Sequence, residues 1–159
     1  MDLNTRHRLI TQYKDGYRAV AEALTGATDE ELDAHPAPGK WSAREIVHHL
    51  ADSEMTSAIR LRLILASDRP HILGYDQDEF ARRLKYDRPI EASLEAFKAA
   101  RRTTAEIMDR MTDDEWSREA THTEHGQYTL DRWLEIYAAH AHDHASQIKV
   151  ARGALGPSR

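Results

Sequence analysis

The chain has 159 residues, a formal net charge of -5 and a hydrophobic share of 40%. This length suffices for a hydrophobic core, and we expect residues 1–159 to form a single domain. The absence of a run of about 18 apolar residues argues against a membrane protein, and the acidic charge argues against nucleic-acid binding. The absence of cysteine excludes disulfides, thiolate metal ligands and a cysteine nucleophile. No secretion signal is visible, so we expect a cytoplasmic protein.

Four long segments show the apolar periodicity of α-helices that are buried on one side. They run from Leu3 to Gly26, from Ser42 to Ala66, from Ile90 to Met111 and from Thr129 to Gly153. Shorter helical turns are predicted in the connections, over residues 28–32, 76–85 and 112–116. The polar segment 121–128 is compatible with a loop or with a small extended excursion. The sequence therefore predicts an all-α four-helix bundle with short extra helices in its connections.

Some polar residues within these segments have simple structural interpretations. Ser42 and Glu45 form a capping box, in which each side chain accepts a hydrogen bond from the other's backbone, and this is the simplest role for Glu45. The pair Arg101-Arg102 is expected on a solvated helix face rather than in a phosphate-binding track. The last residues, 153–159, are expected to fray.

Two histidines stand in the apolar seam of the fourth helix. His140 and His144 occupy positions where the periodicity predicts core residues. Residues four apart lie one turn above each other, so both imidazole rings can reach one metal ion. His142 falls on another face and is expected in solvent, as is Asp143.

The second helix offers a third ligand. His49 shares the inner side of that helix with its apolar residues, whereas His48 shares a polar side and is expected to point outward. A single inward histidine is more often a hydrogen-bonded core residue than a ligand. Three neutral imidazoles converging from two helices favour a metal site. We therefore predict that His49, His140 and His144 bind a divalent metal.

The remaining histidines lie in predicted loops. We expect them at the surface, although His122 or His125 could reach the site from above; the four are His35, His71, His122 and His125. A di-iron bundle needs Glu-x-x-His on two helices. Only Glu45-Ile-Val-His48 has that spacing, so a di-iron site is disfavoured. The zincin, phosphate-loop, EF-hand and serine-hydrolase motifs are absent as well.

Two segments resemble the DinB-like superfamily, and most closely its YfiT-like branch. They are Lys40-Trp-Ser-Ala-Arg-Glu-Ile-Val-His-His-Leu-Ala-Asp-Ser-Glu54 and His140-Ala-His-Asp-His144-Ala-Ser-Gln147-Ile148. The resemblance implies an up-down-down-up four-helix bundle, a zinc or nickel ion held by the same three histidines, and a homodimer. Members of the family are similar either to metal-dependent hydrolases or to S-transferases and isomerases that use low-molecular-weight thiols such as bacillithiol or mycothiol.

Three imidazole ligands leave an open position on the ion, which is typical of catalytic rather than structural sites. Our first hypothesis is a metal-dependent enzyme that activates a low-molecular-weight thiol for S-transfer to an electrophile. The second is a hydrolase of a small-molecule substrate that uses metal-bound water. The third is a non-catalytic bundle that binds a metal or a small ligand. The three histidines are common to all three hypotheses, so the ligands alone leave them open.

Overall fold

The computed structural model describes residues 1–155. The helices in this range are α1 (Leu3–Leu24), α2 (Asp29–Asp33), α3 (Ala43–Ala66), α4 (Gln77–Arg83), α5 (Glu91–Met108), α6 (Asp113–Trp116) and α7 (Leu130–Arg152). The strands are β1 (His71–Ile72), β2 (Glu119–His122) and β3 (Gly126–Thr129), and Gly153–Leu155 form a 3-10 turn. The predicted fraying of residues 156–159 lies outside the described residues. None of the described helices has both the length and the apolar character needed to cross a membrane.

Local hydrogen bonds explain where the two site-bearing helices begin. At the start of α3, the Ser42 amide donates to Glu45 Oε2 at 2.7 Å and the Glu45 amide donates to Ser42 Oγ at 3.2 Å. This is the predicted capping box, and it occupies the Glu45 carboxylate. At the start of α7, the Arg132 amide donates to Thr129 Oγ1 at 3.1 Å. Both caps satisfy backbone donors that a helix N-terminus leaves free.

The first and last long helices, α1 and α7, are parallel neighbours. Near their N-terminal ends, Arg6 Nη2 lies 3.3 Å from Asp131 Oδ1. Near their C-terminal ends, Arg152 Nη1 donates to the Ala23 carbonyl at 2.5 Å. The two helices therefore run in the same direction along their whole length.

The two middle helices, α3 and α5, are also parallel to each other. His48 near the start of α3 lies 2.8 Å from Ser93 Oγ near the start of α5. Arg62 near the end of α3 donates to Thr104 Oγ1, in the second half of α5, at 3.2 Å.

The middle pair runs against the outer pair. Lys14 in α1 lies 2.6 Å from Asp109 at the end of α5, whereas Tyr17, further along α1, packs against Phe97 in the first half of α5 with ring centroids 6.1 Å apart. As α1 advances, its contacts on α5 move backward, so the two helices are antiparallel. The order is up-down-down-up, and the predicted four-helix bundle is confirmed.

A small three-stranded sheet covers one end of the bundle. β1 pairs in parallel with β2, with His71 opposite Thr121, and β2 pairs antiparallel with β3, with Ala120 opposite Tyr128. The hairpin turn ends at Gly126, whose φ of +69° favours glycine. Of the two alternatives for residues 121–128, the extended one is therefore observed, as a minor addition to the helical fold.

Arg101 lies at the centre of the bundle and is 2% exposed, so the prediction of a solvated face was wrong. Its Nη1 donates to the carboxylate of Glu54 in α3, its Nε to the carbonyl of Tyr13 in α1 at 2.6 Å, and its Nη2 to the carbonyl of Tyr137 in α7 at 2.8 Å. One side chain of α5 thus contacts the other three long helices. The spacing in the sequence did indicate this burial, because Arg101 follows the buried Phe97 by one helical turn and so lies on the same face of α5.

Gly16 makes this arrangement possible. A Cβ atom at this position of α1 would lie 2.7 Å from Arg101 Nη2 and 2.7 Å from the Cβ atom of Ala141 in α7. Such distances are well inside van der Waals contact. The missing side chain therefore lets α1 and α7 close around the guanidinium group.

Replacing Glu54 by leucine should lower the free energy of unfolding by about 3–5 kcal/mol, because Arg101 would remain as a buried and unpaired cation. The double variant Glu54→Leu/Arg101→Met removes both charges and should regain part of that loss. Urea denaturation followed by circular dichroism measures both effects. A single variant as stable as the wild type would contradict the central role of this ion pair.

Candidate metal centre

The structure brings the three predicted histidines together between α3 and α7. His49 is 2% exposed, and His140 and His144 are partly exposed on the facing side of α7. The nitrogen atoms that could serve as ligands all lie within 4.8 Å of one another. α3 therefore contributes one imidazole and α7 contributes two, and the three rings converge between the two helices.

The closest pair of nitrogens has the spacing of two ligands on one ion. His49 Nε2 and His140 Nε2 are 3.2 Å apart. Two imidazole nitrogens at about 2.0–2.1 Å from a tetrahedral zinc ion are separated by roughly 3.3 Å. The rings converge without parallel stacking, with the His144 centroid 4.8 Å from that of His49 and 4.5 Å from that of His140.

Neighbouring side chains orient the rings. His144 Nδ1 donates to the amide oxygen of Gln147 at 3.0 Å, because that oxygen can only accept. This bond leaves the lone pair of His144 on Nε2, as a ligand nitrogen requires. The ring of Trp41 covers His49 at a centroid distance of 4.7 Å, and Tyr137 lies 6.0 Å from His140.

Burial keeps the three imidazoles neutral. The pKa of His49 is lowered to about 3 and that of His140 to about 2, chiefly by burial and in smaller part by the neighbouring His144. The pKa of His144 is also lowered, again chiefly by burial. Neutral rings have the free lone pairs that a metal ion needs.

The bonding of His49 and His140 differs from that of an ordinary core histidine. Among the described residues, Nδ1 of each ring is buried and has no hydrogen-bond partner. Their Nε2 atoms face only each other, so at most one hydrogen bond can form between them. Buried polar groups are normally satisfied. The donor set, three neutral imidazoles with converging nitrogens, therefore fits a divalent cation.

His48 is fully buried, so the prediction that it points outward was wrong. Its Nδ1 lies 2.8 Å from Ser93 Oγ and its Nε2 lies 3.0 Å from the Arg88 carbonyl. Both ring nitrogens are occupied, and His48 is a hydrogen-bonded core residue that joins α3 to the segment before α5. The reason is that α3 packs against both α5 and α7, and is therefore buried on two sides.

Two residues between the predicted α7 ligands, His142 and Asp143, were expected in solvent. His142 is only partly exposed, because its Nε2 donates to the Gln12 carbonyl of α1 at 3.0 Å, so the expectation of a solvent position was partly wrong. Asp143 is exposed as predicted. Neither residue belongs to the three-histidine cluster.

The loop histidines divide into two groups. His35, His71 and His125 are exposed as predicted, whereas His122 in β2 is 3% exposed, which corrects the expectation of a surface position. Its Nδ1 accepts a hydrogen bond from the Glu124 amide at 3.1 Å. Pairing of β2 with β1 and β3 holds this ring inside, and no local pattern in the sequence indicates that pairing.

A cavity of about 200 Å³ adjoins the histidine cluster. Its wall includes two of the clustered histidines and a set of polar side chains from α3, α7, the hairpin and the segment before α4: His49, Ser53, Arg60, Tyr75, His122, Glu124, His125, Tyr137 and His140. The sequence-based interpretation missed Arg60 and Tyr137 as site residues. Their spacing was a usable signal, since Arg60 follows His49 by eleven residues, about three helical turns, and Tyr137 precedes His140 by one turn.

The fold and the cluster define a class: an up-down-down-up bundle whose second and fourth long helices present three histidines beside a small cavity. A family model of the DinB superfamily matches residues 12–148. The chain belongs to this superfamily, and the resemblance to its YfiT-like branch is confirmed.

Named relatives agree with this assignment. A protein of Oceanobacillus iheyensis named "Putative metal-dependent hydrolase" is 31% identical over 87% of this chain and 81% of its own length. "Putative metal-dependent hydrolase YfiT" of Bacillus subtilis is 32% identical over 85% of this chain and 77% of its own length. The solved structure of that YfiT, described as "a probable metal-dependent hydrolase with an unusual four-helix bundle topology", superposes with a TM-score of 0.91 at 26% identity. The superposition covers 99% of this chain and 91% of YfiT.

The metal-free protein should lose stability as the pH falls below about 6.5. The pKa values of His49 and His140 are lower in the folded state than in the unfolded state, so the unfolded chain takes up protons first. Between pH 7.5 and 5.5, each of the two residues should cost about 1 kcal/mol of unfolding free energy. Urea titrations at both pH values measure this loss.

The double variant His49→Gln/His140→Gln should show a weaker pH dependence than the wild type. The control His142→Gln should retain the wild-type dependence, because His142 lies outside the three-histidine cluster. An unchanged slope in the double variant would contradict the assignment of neutral buried imidazoles.

Proposed function

We propose that this protein is a metal-dependent hydrolase of a small molecule, and that His49, His140 and His144 bind one divalent ion per chain. The observation that carries the proposal is the convergence of three neutral imidazole nitrogens beside a cavity. The names of the relatives from Oceanobacillus iheyensis and Bacillus subtilis support a hydrolytic, metal-dependent activity.

The side chains around the site have separate tasks in this proposal. When bound, the ion supplies Lewis acidity and lowers the pKa of a coordinated water molecule to about 7. Gln147 keeps the Nε2 lone pair of His144 directed at the ion. The Tyr137 hydroxyl accepts a hydrogen bond from Arg60 Nη1 at 3.1 Å, which leaves its own proton available for a substrate oxygen. Burial raises the pKa of Tyr137, so the phenol keeps that proton at neutral pH.

The nature of the ion follows from its ligands. Imidazole suits zinc, nickel, copper and iron, and a site without thiolate or carboxylate ligands disfavours magnesium and calcium. We propose zinc or nickel, in agreement with the expectation from the family resemblance.

Thiol S-transfer, our first hypothesis from the sequence, stays a prediction. One observation favours it: the chain has no cysteine, so no thiol of its own competes with a thiol cosubstrate for the ion. The same three imidazoles would bind the cosubstrate as thiolate, its reactive form. The relatives' names point to hydrolysis, and for this reason we rank the hydrolase first.

The cytoplasmic location and the homodimer also stay predictions. An exposed apolar stripe on α3 supports a homodimer. It consists of Met55 (43% exposed), Ile59 (57%) and Leu63 (40%), which are spaced by one helical turn. Exposed apolar side chains one turn apart on a single helix form a patch of the kind that protein–protein contacts cover.

Replacement of a ligand should abolish stoichiometric metal binding. His140→Ala and His144→Ala should each lower the affinity for zinc by more than about 100-fold, since even partners that only orient a ligand contribute 10–100-fold. His142→Ala is the matched control, because it lies between them on α7 and outside the cluster, and it should bind metal like the wild type. Mass spectrometry of metals in purified and reconstituted protein measures the occupancy. A wild type without metal after reconstitution would refute the site.

Hydrolysis should depend on the same residues. A panel of esters and amides, assayed with zinc- or nickel-loaded protein, should yield at least one substrate whose turnover is lost on chelation and in His140→Ala but retained in His142→Ala. A parallel assay with low-molecular-weight thiols and monochlorobimane tests S-transfer. Turnover of thiols alone would replace the hydrolase by the S-transferase, and no turnover in either assay would favour a non-catalytic binding protein.

A further inference from the structure

A second buried arginine lies in the wall of the cavity. Arg60 of α3 is 9% exposed. Its Nη1 donates to the Tyr137 hydroxyl at 3.1 Å and its Nη2 donates to the Leu73 carbonyl at 2.7 Å. Both acceptors are uncharged. Among residues 1–155, no carboxylate oxygen lies within 4.0 Å of this guanidinium group, and its Nε has no hydrogen-bond partner.

The other buried arginine shows what a compensated cation looks like in the same protein. Arg101 forms an ion pair with Glu54, and all three of its nitrogens donate hydrogen bonds. A buried charge without a counter-ion costs several kcal/mol after relaxation. Arg60 has no such partner among the described residues, and its guanidinium carbon lies 5.8 Å from the ring centre of Tyr75.

The position of Arg60 connects it to the proposed reaction site. Arg60, His49 and His140 line the same cavity of about 200 Å³. Tyr137 bridges the two ends, because its hydroxyl contacts Arg60 and its ring lies 6.0 Å from the ring of His140. A ligand held by Arg60 would therefore extend toward the histidines.

A second donor lies in the wall formed by the hairpin. His122 also lines the cavity, and its Nδ1 accepts from the Glu124 amide, so the proton of the neutral ring is on Nε2. Nδ1 is thus occupied and Nε2 carries a hydrogen, which makes His122 a hydrogen-bond donor in this arrangement. Of the five N–H hydrogens of the guanidinium group, the two bonds use one on each terminal nitrogen, which leaves three for a ligand with two acceptor oxygens, such as a carboxylate.

We propose that Arg60 is the anion-binding residue of this cavity, and that the ligand processed at the histidine cluster carries a carboxylate. The guanidinium group pairs with the carboxylate, His122 adds a neutral donor, and the reactive part of the ligand points toward His49 and His140. As far as the ligand is the substrate, this inference rests on the proposed function; the binding of the carboxylate itself does not need the ion.

Glu124 is the competing explanation. Its carboxylate also lines the cavity, and it could serve as the counter-ion of Arg60. In the structure, however, its side chain is 60% exposed, and Nε2 of His125 lies 4.0 Å from its Oε2. Glu124 therefore contributes a screened charge at the cavity rim, and its replacement separates the two explanations.

The test uses metal-free full-length protein and a pair of probes that differ in charge. Succinate and its neutral isostere succinamide are titrated by calorimetry at low ionic strength. Because the protein is metal-free, coordination of the probe to an ion is excluded. Succinate should bind at least about tenfold more tightly than succinamide. Arg60→Met should lose this preference, Arg60→Lys should keep part of it, and the matched control Arg102→Met, an exposed arginine of α5, should keep it fully.

Three results would overturn the proposal. The first is equal or absent binding of the two probes by the wild type. The second is a folded Arg60→Met variant, verified by circular dichroism, that binds succinate like the wild type. The third is a Glu124→Gln variant that binds succinate at least about tenfold more tightly than the wild type and has a lowered melting temperature, because loss of a counter-ion would free Arg60 for the probe and leave its charge unpaired. The probe comparison and Glu124→Gln remain decisive if Arg60→Met does not fold.

Failure of this proposal and failure of the hydrolase proposal give different results. A metal-free wild type that prefers succinate, together with a loaded wild type that hydrolyses no ester, refutes only the hydrolase. A loaded wild type that hydrolyses neutral esters, together with a metal-free protein that ignores succinate, refutes only the role of Arg60.

Discussion

The ion pair between Arg101 and Glu54 is the interaction on which the bundle depends. It is 2% and 1% exposed, and the same guanidinium group donates to backbone carbonyls of α1 and α7. One of those carbonyls belongs to Tyr137, one turn before His140, and Glu54 lies little more than one turn after His49. The ion pair between Arg101 and Glu54 therefore sets the distance between α3 and α7 close to the histidine cluster. Hydrogen bonds in a buried network fix this distance more narrowly than an apolar contact would.

The two buried arginines show how one bundle separates structural from functional charge. Arg101 has a counter-ion, and its cost of burial is offset inside the protein. Arg60 has only uncharged acceptors among the described residues, although it belongs to the same α3 that supplies Glu54. A cation kept without a counter-ion beside a cavity is an unfavourable element of the fold. Such elements are characteristic of binding sites, where the ligand supplies the missing charge.

Interactions between residues one turn apart could be predicted from the sequence, and those that depend on distant pairing could not. The spacing of His140 and His144, and the phase of His49 against its apolar neighbours, place all three on the inner faces of two helices. His48 was misplaced because α3 is enclosed by α5 and α7, so that its polar side is also buried. His122 was misplaced because its burial arises from strand pairing between β1 and β2, which are almost 50 residues apart in the chain.

The histidine cluster itself is unfavourable without a cation. If both neutral rings carry their proton on Nδ1, the Nε2 lone pairs of His49 and His140 face each other at 3.2 Å. If one ring changes tautomer, a single hydrogen bond forms and its buried Nδ1 lone pair has no partner. A divalent ion between the nitrogens, as proposed, would remove this conflict, because both lone pairs and that of His144 would then have a partner. The proposed metal binding would therefore stabilise the bundle through the same atoms that are unsatisfied without it.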